Sequence, residues 1–173
     1  NHHDTVRNHK YVLMDKLKAI PGIAMVSLCT NPPSSNSTWS GTIKYKDGKK
    51  EVEADVQQKY GDSNYIKLYH IKLLAGKNIE TTDTVTSVLI NETYAHILGF
   101  RQPEEAAGKL LEWSNKPLLV SGVVADFNQA SLHEKVKPLI IGSRSFIERN
   151  ISIALQPQNE AGTTWKNAIT KIE

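Results

Sequence analysis

Thiol chemistry is almost absent from this chain, since Cys29 is its one cysteine. That excludes an internal disulfide framework and any zinc site built on several cysteines. No apolar run approaches the roughly 20 residues that cross a bilayer, and no secretion-type leader opens the sequence. It does not start with methionine, so it is expected to be a processed chain or a segment cut from a longer one. Surplus charge is small as well: +3 over 173 residues is too little to make nucleic acid a leading partner. What remains is an ordinary globule, 39% hydrophobic and 23% charged with mean hydropathy −0.39. Its length is that of one domain or of two small lobes, and it buries a core without covalent staples.

The recognised reaction signatures are missing too. Ser121-Gly122 lacks the Gly-x-Ser-x-Gly pattern of a nucleophile elbow, and Asp126-Phe127-Asn128 stands without the other kinase elements. There is no phosphate loop and no dinucleotide fingerprint. His2, His3, Asp4 and His9 cluster at a chain start, while His70, His96 and His133 are isolated; neither set has metal-ligand spacing, and no metal or other cofactor is expected. Cys29 ends an apolar strand, where a thiol behaves as a small hydrophobe rather than a nucleophile. Glu51, Glu53 and Asp55 alternate with Val52, Ala54 and Val56, which reads as a strand with one wet face and not as an acid/base set. Lys44, Lys46, Lys49 and Lys50 read as a solvated hairpin tip. The triplets beginning at Asn36, Asn91 and Asn150 are no more than chance supplies in a chain rich in Asn, Ser and Thr.

What the sequence does hold is a clear order of elements. Val6, Leu13, Leu17 and Ile20 mark one helical face, and Pro21-Gly22 stops it. Ile23 to Cys29 reads as a buried strand. Asn31 to Thr38 is loop, with Pro32 and Pro33 withholding donors, and Trp39 stands at its far end. A hairpin follows, its strands flanking Lys46 to Lys49 with Asp47-Gly48 as a type I′ turn. Asp62 is a candidate cap for a short helix through Tyr65, Ile66 and Tyr69, and Asn91 for another closed by Gly99-Phe100. Strands are expected over Ile71 to Leu74, Thr86 to Ile90, Leu110 to Trp113, Leu118 to Val124, Pro138 to Ile141 and Ile151 to Leu155. A last helix carries Trp165, Ala168, Ile169 and Ile172. Hairpins exclude a purely parallel sheet, so the class is α+β.

The wording from residue 88 onward resembles that of a known family. Val88-Leu-Ile-Asn-Glu-Thr-Tyr-Ala-His-Ile-Leu-Gly-Phe100, Ala107-Gly108-Lys109-Leu110, Val120-Ser-Gly-Val-Val-Ala-Asp-Phe127 and Ser131-Leu-His-Glu-Lys-Val-Lys-Pro138 occur in the order found in the extracytoplasmic domains of MacB/FtsX-type ABC transporter permeases, Bacteroidetes-type members especially. Upstream, Leu17 to Ile23 and Ile71 to Gly76 fit the same series. The family's usual Pro-Ile-Gly-Lys is here Ala106-Ala107-Gly108-Lys109.

The resemblance implies a two-lobed, non-catalytic domain on the periplasmic side of the bacterial inner membrane: a discontinuous α/β lobe, residues 1–70 and 138–173, and an inserted β-rich lobe, 71–137. It implies a cytoplasmic ATPase subunit reached through transmembrane helices, a possible second permease copy, and a periplasmic protein or lipoprotein partner. A secreted ligand-binding or adhesion module is the competing reading. In either case Pro32, Pro33 and Trp39 are the candidate partner-contact residues. Trp39 has two open roles, an exposed anchor or a cover over the sheet edge.

Overall fold

A computed structural model describes residues 2–35, 38–48, 50–128, 134–157 and 163–172. Asn36 and Ser131 to His133 lie outside the described residues, as do the side chains of His2, His3, Asp4 and Val6. The chain opens with α1 (His2–Lys18), which ends just before Pro21-Gly22, Gly22 taking φ 95°. Met14 and Leu17 on its inner face pack on β1 (Ile23–Cys29). The partner of β1 comes from the far end of the sequence: β9 (Asn150–Leu155) runs antiparallel to it, Val26 opposite Ile153. α5 (Thr163–Ile172) follows, but only Ala168 of its apolar stripe is buried, with Trp165, Ile169 and Ile172 remaining exposed. α1, β1 and β9 form a small α/β unit.

Everything between β1 and β9 builds a second unit. β2 (Trp39–Asp47) and β3 (Lys50–Tyr60) are the expected hairpin, shifted by one residue: Asp47, expected in the turn, pairs with Lys50, and Gly48 takes φ 59°, while Lys49 lies outside the described residues. Then come α2 (Tyr65–Leu68), β4 (Leu73–Gly76), β5 (Ser87–Asn91), α3 (Glu92–Leu98), α4 (Pro103–Ala106), β6 (Leu110–Trp113), β7 (Lys116–Val124) and β8 (Leu139–Gly142). β5 pairs with β7 and β8, β8 with β3, β3 with β2, β2 with β6, and β6 back to β7. The pairings close a ring, so this is a small barrel with β4 branching from β7. Closure removes the free edges of the six ring strands and leaves only that of β4.

The inward side chains fill the ring: Ile43, Tyr45, Val56, Val88, Ile90, Leu118, Val120 and Ile140 form one core with Tyr94 and Leu98 of α3. α3 covers one end of it, and Phe100 packs on Tyr45 with ring centres 5.4 Å apart. Asn91 caps α3 as expected, its Oδ1 accepting from the Tyr94 N–H at 3.2 Å, and Gly99 ends it at φ 96°. α4 escaped the sequence reading, although Pro103 at its start and the Gln102/Glu105 capping box were signals for it. Outward residues Leu89, Leu139, Ile141 and Val124 meet Tyr65 and Ile66 of α2 in a second core. The carboxylates of β3 are indeed on a wet face, where Lys44 reaches Glu53 at 3.2 Å and Lys46 reaches Glu112 at 3.5 Å; such exposed pairs contribute little.

The architecture is α+β, with a β-rich unit inserted into a discontinuous α/β unit. The boundaries expected at 70/71 and 137/138 nevertheless both fall inside the barrel. β2, β3 and β8 hydrogen-bond to β5 and β6, so they belong with 71–137 and not with residues 1–29.

Candidate functional site

The end of the barrel opposite α3 is where β6 and β8 finish and β5 and β7 begin. The β6–β7 hairpin turns there through Ser114 and Asn115, both at positive φ (51° and 61°), the geometry that suits the twist of two adjoining strands. Facing this turn are the segment before β5 and the segment after β8. Between them lies a half-open groove of about 340 Å³, lined by Val85, Trp113, Pro117, Leu118, Arg144 and Phe146 among others. Its walls are largely apolar and its charges sit at the rim. The Arg144 guanidinium lies 4.5 Å from the Phe146 ring centre, a cation–π stack, and Phe146 is 52% exposed. Trp39 belongs to the same end of the barrel, because it pairs with Gln58 two residues before Tyr60, and Tyr60 pairs with Gly142.

Behind the groove is the joint between the two units. Asp62, 5% exposed, accepts from the Ser27 hydroxyl (2.6 Å), the Leu28 N–H (2.8 Å) and the Asn64 N–H (3.0 Å), while Asn64 Nδ2 donates to the Val26 carbonyl (3.0 Å). Asp62 therefore ties β1 to the barrel and does not cap α2, whose N-cap position is Asn64. A second tie runs through the turn after β8. Lys10 of α1 donates to the carbonyls of Ser145 and Glu148. Glu148, fully buried, braces that turn by accepting from Ser143 Oγ (3.1 Å) and the Arg144 N–H (2.7 Å). Burial pushes its carboxyl above the usual range, against the pull of those two hydrogen bonds. One short turn thus touches α1 through Ser145 and Glu148 and presents Arg144 and Phe146 to the groove.

No protein-family model matches the sequence, and no curated protein matches it significantly. Solved structures do. The periplasmic region of MacB from Actinobacillus actinomycetemcomitans superposes with TM-score 0.58 at 17% identity, over 91% of this chain and 70% of that one. The extracellular domain of the ABC-type transporter YknZ from Gram-positive bacteria gives 0.57 at 16%, over 92% and 80%. A permease-protein domain from Porphyromonas gingivalis gives 0.55 at 16%, over 83% and 66%. The chain has the MacB periplasmic-domain fold.

Within this MacB-like fold the three residues singled out from sequence part company. Pro32 is exposed, whereas Pro33 is buried and offers no contact surface. Trp39 is 55% exposed and leans on Tyr60, ring centres 5.8 Å apart; it is neither core nor free. Trp39→Ala is expected to cost no more than about 1 kcal/mol, the worth of one aromatic pair with modest burial, seen as a near-unchanged melting temperature.

The Pro/Ser loop itself is staked from below. Lys59, 1% exposed, donates to the carbonyls of Pro32 (3.3 Å) and Ser35 (2.8 Å), and Tyr65 Oη donates to that of Asn31 (3.1 Å). Desolvation lowers the Lys59 ammonium to about 8. The unfolded chain keeps that proton up to about 10.4, so between the two values it binds more protons than the folded one and stability rises with pH. Lys59→Met lacks this gain. Its cost, from urea denaturation, is expected to grow by about 1–2 kcal/mol between about pH 7.5 and 9.5. Sequence reading passed over Lys59, Arg144 and Phe146; the last two meet Val85 and Trp113 only through the barrel. Cys29 is buried, and desolvation pushes its thiol up, away from nucleophile chemistry.

Proposed function

We propose that this chain is the extracytoplasmic domain of an ABC transporter permease, a non-catalytic part that carries movement from membrane helices to a partner outside the membrane. The reading rests on the fold shared with the MacB, YknZ and Porphyromonas gingivalis domains over most of the chain. On this reading a cytoplasmic ATPase supplies the work, a second permease copy pairs with the first, and a periplasmic protein or lipoprotein receives the displacement. None of the described helices is long and apolar enough to cross a membrane, so the membrane helices would flank this segment.

Two features of the molecule suit the task. The barrel is closed and filled, and interiors packed in this way transmit displacement rather than absorb it. The joint is hydrogen-bonded and short: a shift of α1 pulls on the turn at 143–148 through Lys10, and that turn carries two groove residues. The perturbed titratable groups Glu148 and Lys59 are both shifted by burial, and both hydrogen-bond to loop atoms.

The test uses the complete permease with its ATPase in vesicles containing acceptor-labelled lipid. Leu110 is 59% exposed and Cys29 is buried, so a Leu110→Cys variant takes a donor dye selectively once cysteines outside this segment are replaced. Energy transfer to the lipid surface is expected to differ between nucleotide-free and ATP-trapped states, and to stay constant when the ATPase cannot bind nucleotide. Equal transfer in both states overturns the reading. A parent gene without membrane segments beside residues 1 and 173 does the same and leaves the secreted binding module.

A further inference from the structure

We infer that the groove at the open end of the barrel binds an extended acidic–apolar peptide segment of a partner protein. Three observations carry this. First, the groove offers apolar surface: Val85 and Pro117, with the Trp113 indole and the exposed Phe146 ring beside them. Rigid aromatic side chains of this kind anchor partners at low entropic cost. Second, the charge of its lining is net positive, two cations against one carboxylate. Arg144 is stacked on Phe146 and Lys116 is exposed, and neither has a carboxylate partner among the described residues. Asp83, the acidic residue of the lining, accepts from the Ser145 hydroxyl and keeps its negative charge, which the two cations outweigh. A guanidinium held flat against a ring is pre-positioned for a carboxylate, and electrostatic complementarity then selects an acidic occupant.

Third, the groove is half-open, running between a hairpin turn on one side and the 143–147 turn on the other. That form suits a chain lying across it, with one or two apolar side chains inserted and a carboxylate meeting Arg144. The volume, about 340 Å³, is near the lower end for sites that enclose a small molecule, roughly 300–1,000 Å³. Trp39 is exposed at the same end of the barrel, outside the groove lining.

The inference rests on the reading of this chain as the part that meets a partner, but its test needs neither ATPase nor membrane. Failure here leaves the energy-transfer result in the complete permease standing, and the reverse also holds. The 173-residue chain is titrated with a fluorescein-labelled heptapeptide alternating glutamate with leucine and phenylalanine, blocked at both ends. Two companion peptides carry lysine in place of glutamate, or serine in place of the apolar residues.

The acidic–apolar peptide is expected to bind saturably with Kd below about 1 mM and to shift the Trp113 indole N–H signal. Both companions are expected to bind at least tenfold more weakly, about 1.4 kcal/mol. Arg144→Glu should weaken the acidic peptide at least tenfold and reverse the preference toward the lysine peptide. Phe146→Ala, at an exposed ring, should weaken it several-fold with an unchanged melting temperature. Absence of saturable binding overturns the inference. So do equal affinities for all three peptides, affinity indifferent to Arg144→Glu in a folded variant, or self-association of the chain that the peptide displaces, which would assign the groove to a second copy.

Discussion

Gly76→Ala is expected to remove about 3–5 kcal/mol of stability, a large share of the roughly 5–15 kcal/mol a domain possesses. Gly76 sits where β4 branches from β7, at φ +77°, and pairs with Gly122. A methyl group there would overlap the Ser121 carbonyl oxygen and come within 2.7 Å of the Gly122 Cα, both backbone atoms that cannot swing aside. The reverse approach is equally closed, since a Cβ on Gly122 would meet the carbonyl oxygens of Ala75 at 2.6 Å and Lys77 at 2.9 Å. Gly48→Ala separates the contributions. It shares the positive φ (+59°) but has no atom within 4 Å of the new carbon, so it should lose only about 1 kcal/mol. Urea denaturation of both variants reads the difference directly, and equal losses would show that backbone conformation, not the close approach of β4 to β7, is the constraint.

Asp62→Ala is expected to cost about 3 kcal/mol. Its carboxylate is the acceptor for Ser27 Oγ, the Leu28 N–H and the Asn64 N–H, and Leu28 and Ser27 are themselves buried. Removing it leaves two buried donors unpaired, each costing about 1–3 kcal/mol, while the Asn64 amide is nearer solvent and recovers water. Asp62→Asn retains one acceptor oxygen but turns an NH₂ toward a donor, and should fall between alanine and the native residue. The substitution also tests the joint. β1 and the barrel stay linked through the Cys29–Gly61 bridge and the Asp62 N–H bond to the Leu28 carbonyl (2.9 Å), so hydrogen exchange in β1 and β9 should accelerate well before exchange in β3 and β8. Uniform acceleration across both units would argue that they unfold as one.

Much of this structure was legible from local patterns. The helix stripe through Leu17 and Ile20 with its Pro21-Gly22 stop, the Asn91 cap, the Gly99 exit and the alternating face of β3 all follow from rules that act over a few residues, although Leu13 of that stripe is exposed and Met14 is buried instead. The ordered series from Val88 to Pro138 pointed to the fold that the solved structures share. Asp62 shows where such rules fail. Asp followed three residues later by a helical run reads as a cap, yet a strand more than thirty residues upstream offers its carboxylate more donors than the helix start does. α5 shows the opposite failure. Its stripe is genuine, but only Ala168 finds something to pack against.

The composition and periodicity of the chain were enough to settle its class, most of its elements and the absence of recognised reaction motifs, because these depend on propensity and on side-chain spacing along one segment. The lobe boundary and the groove were beyond their reach. Ring closure is decided by pairings between strands distant in sequence, β3 with β8 and β6 with β2, whose strength depends on which edges are left unoccupied once every strand is in place. Arg144, Phe146, Trp113 and Val85 carry no mutual signal along the chain. They share a site because a closed barrel brings the ends of its strands together, and a carboxylate such as Asp62 chooses its partners only after that has happened.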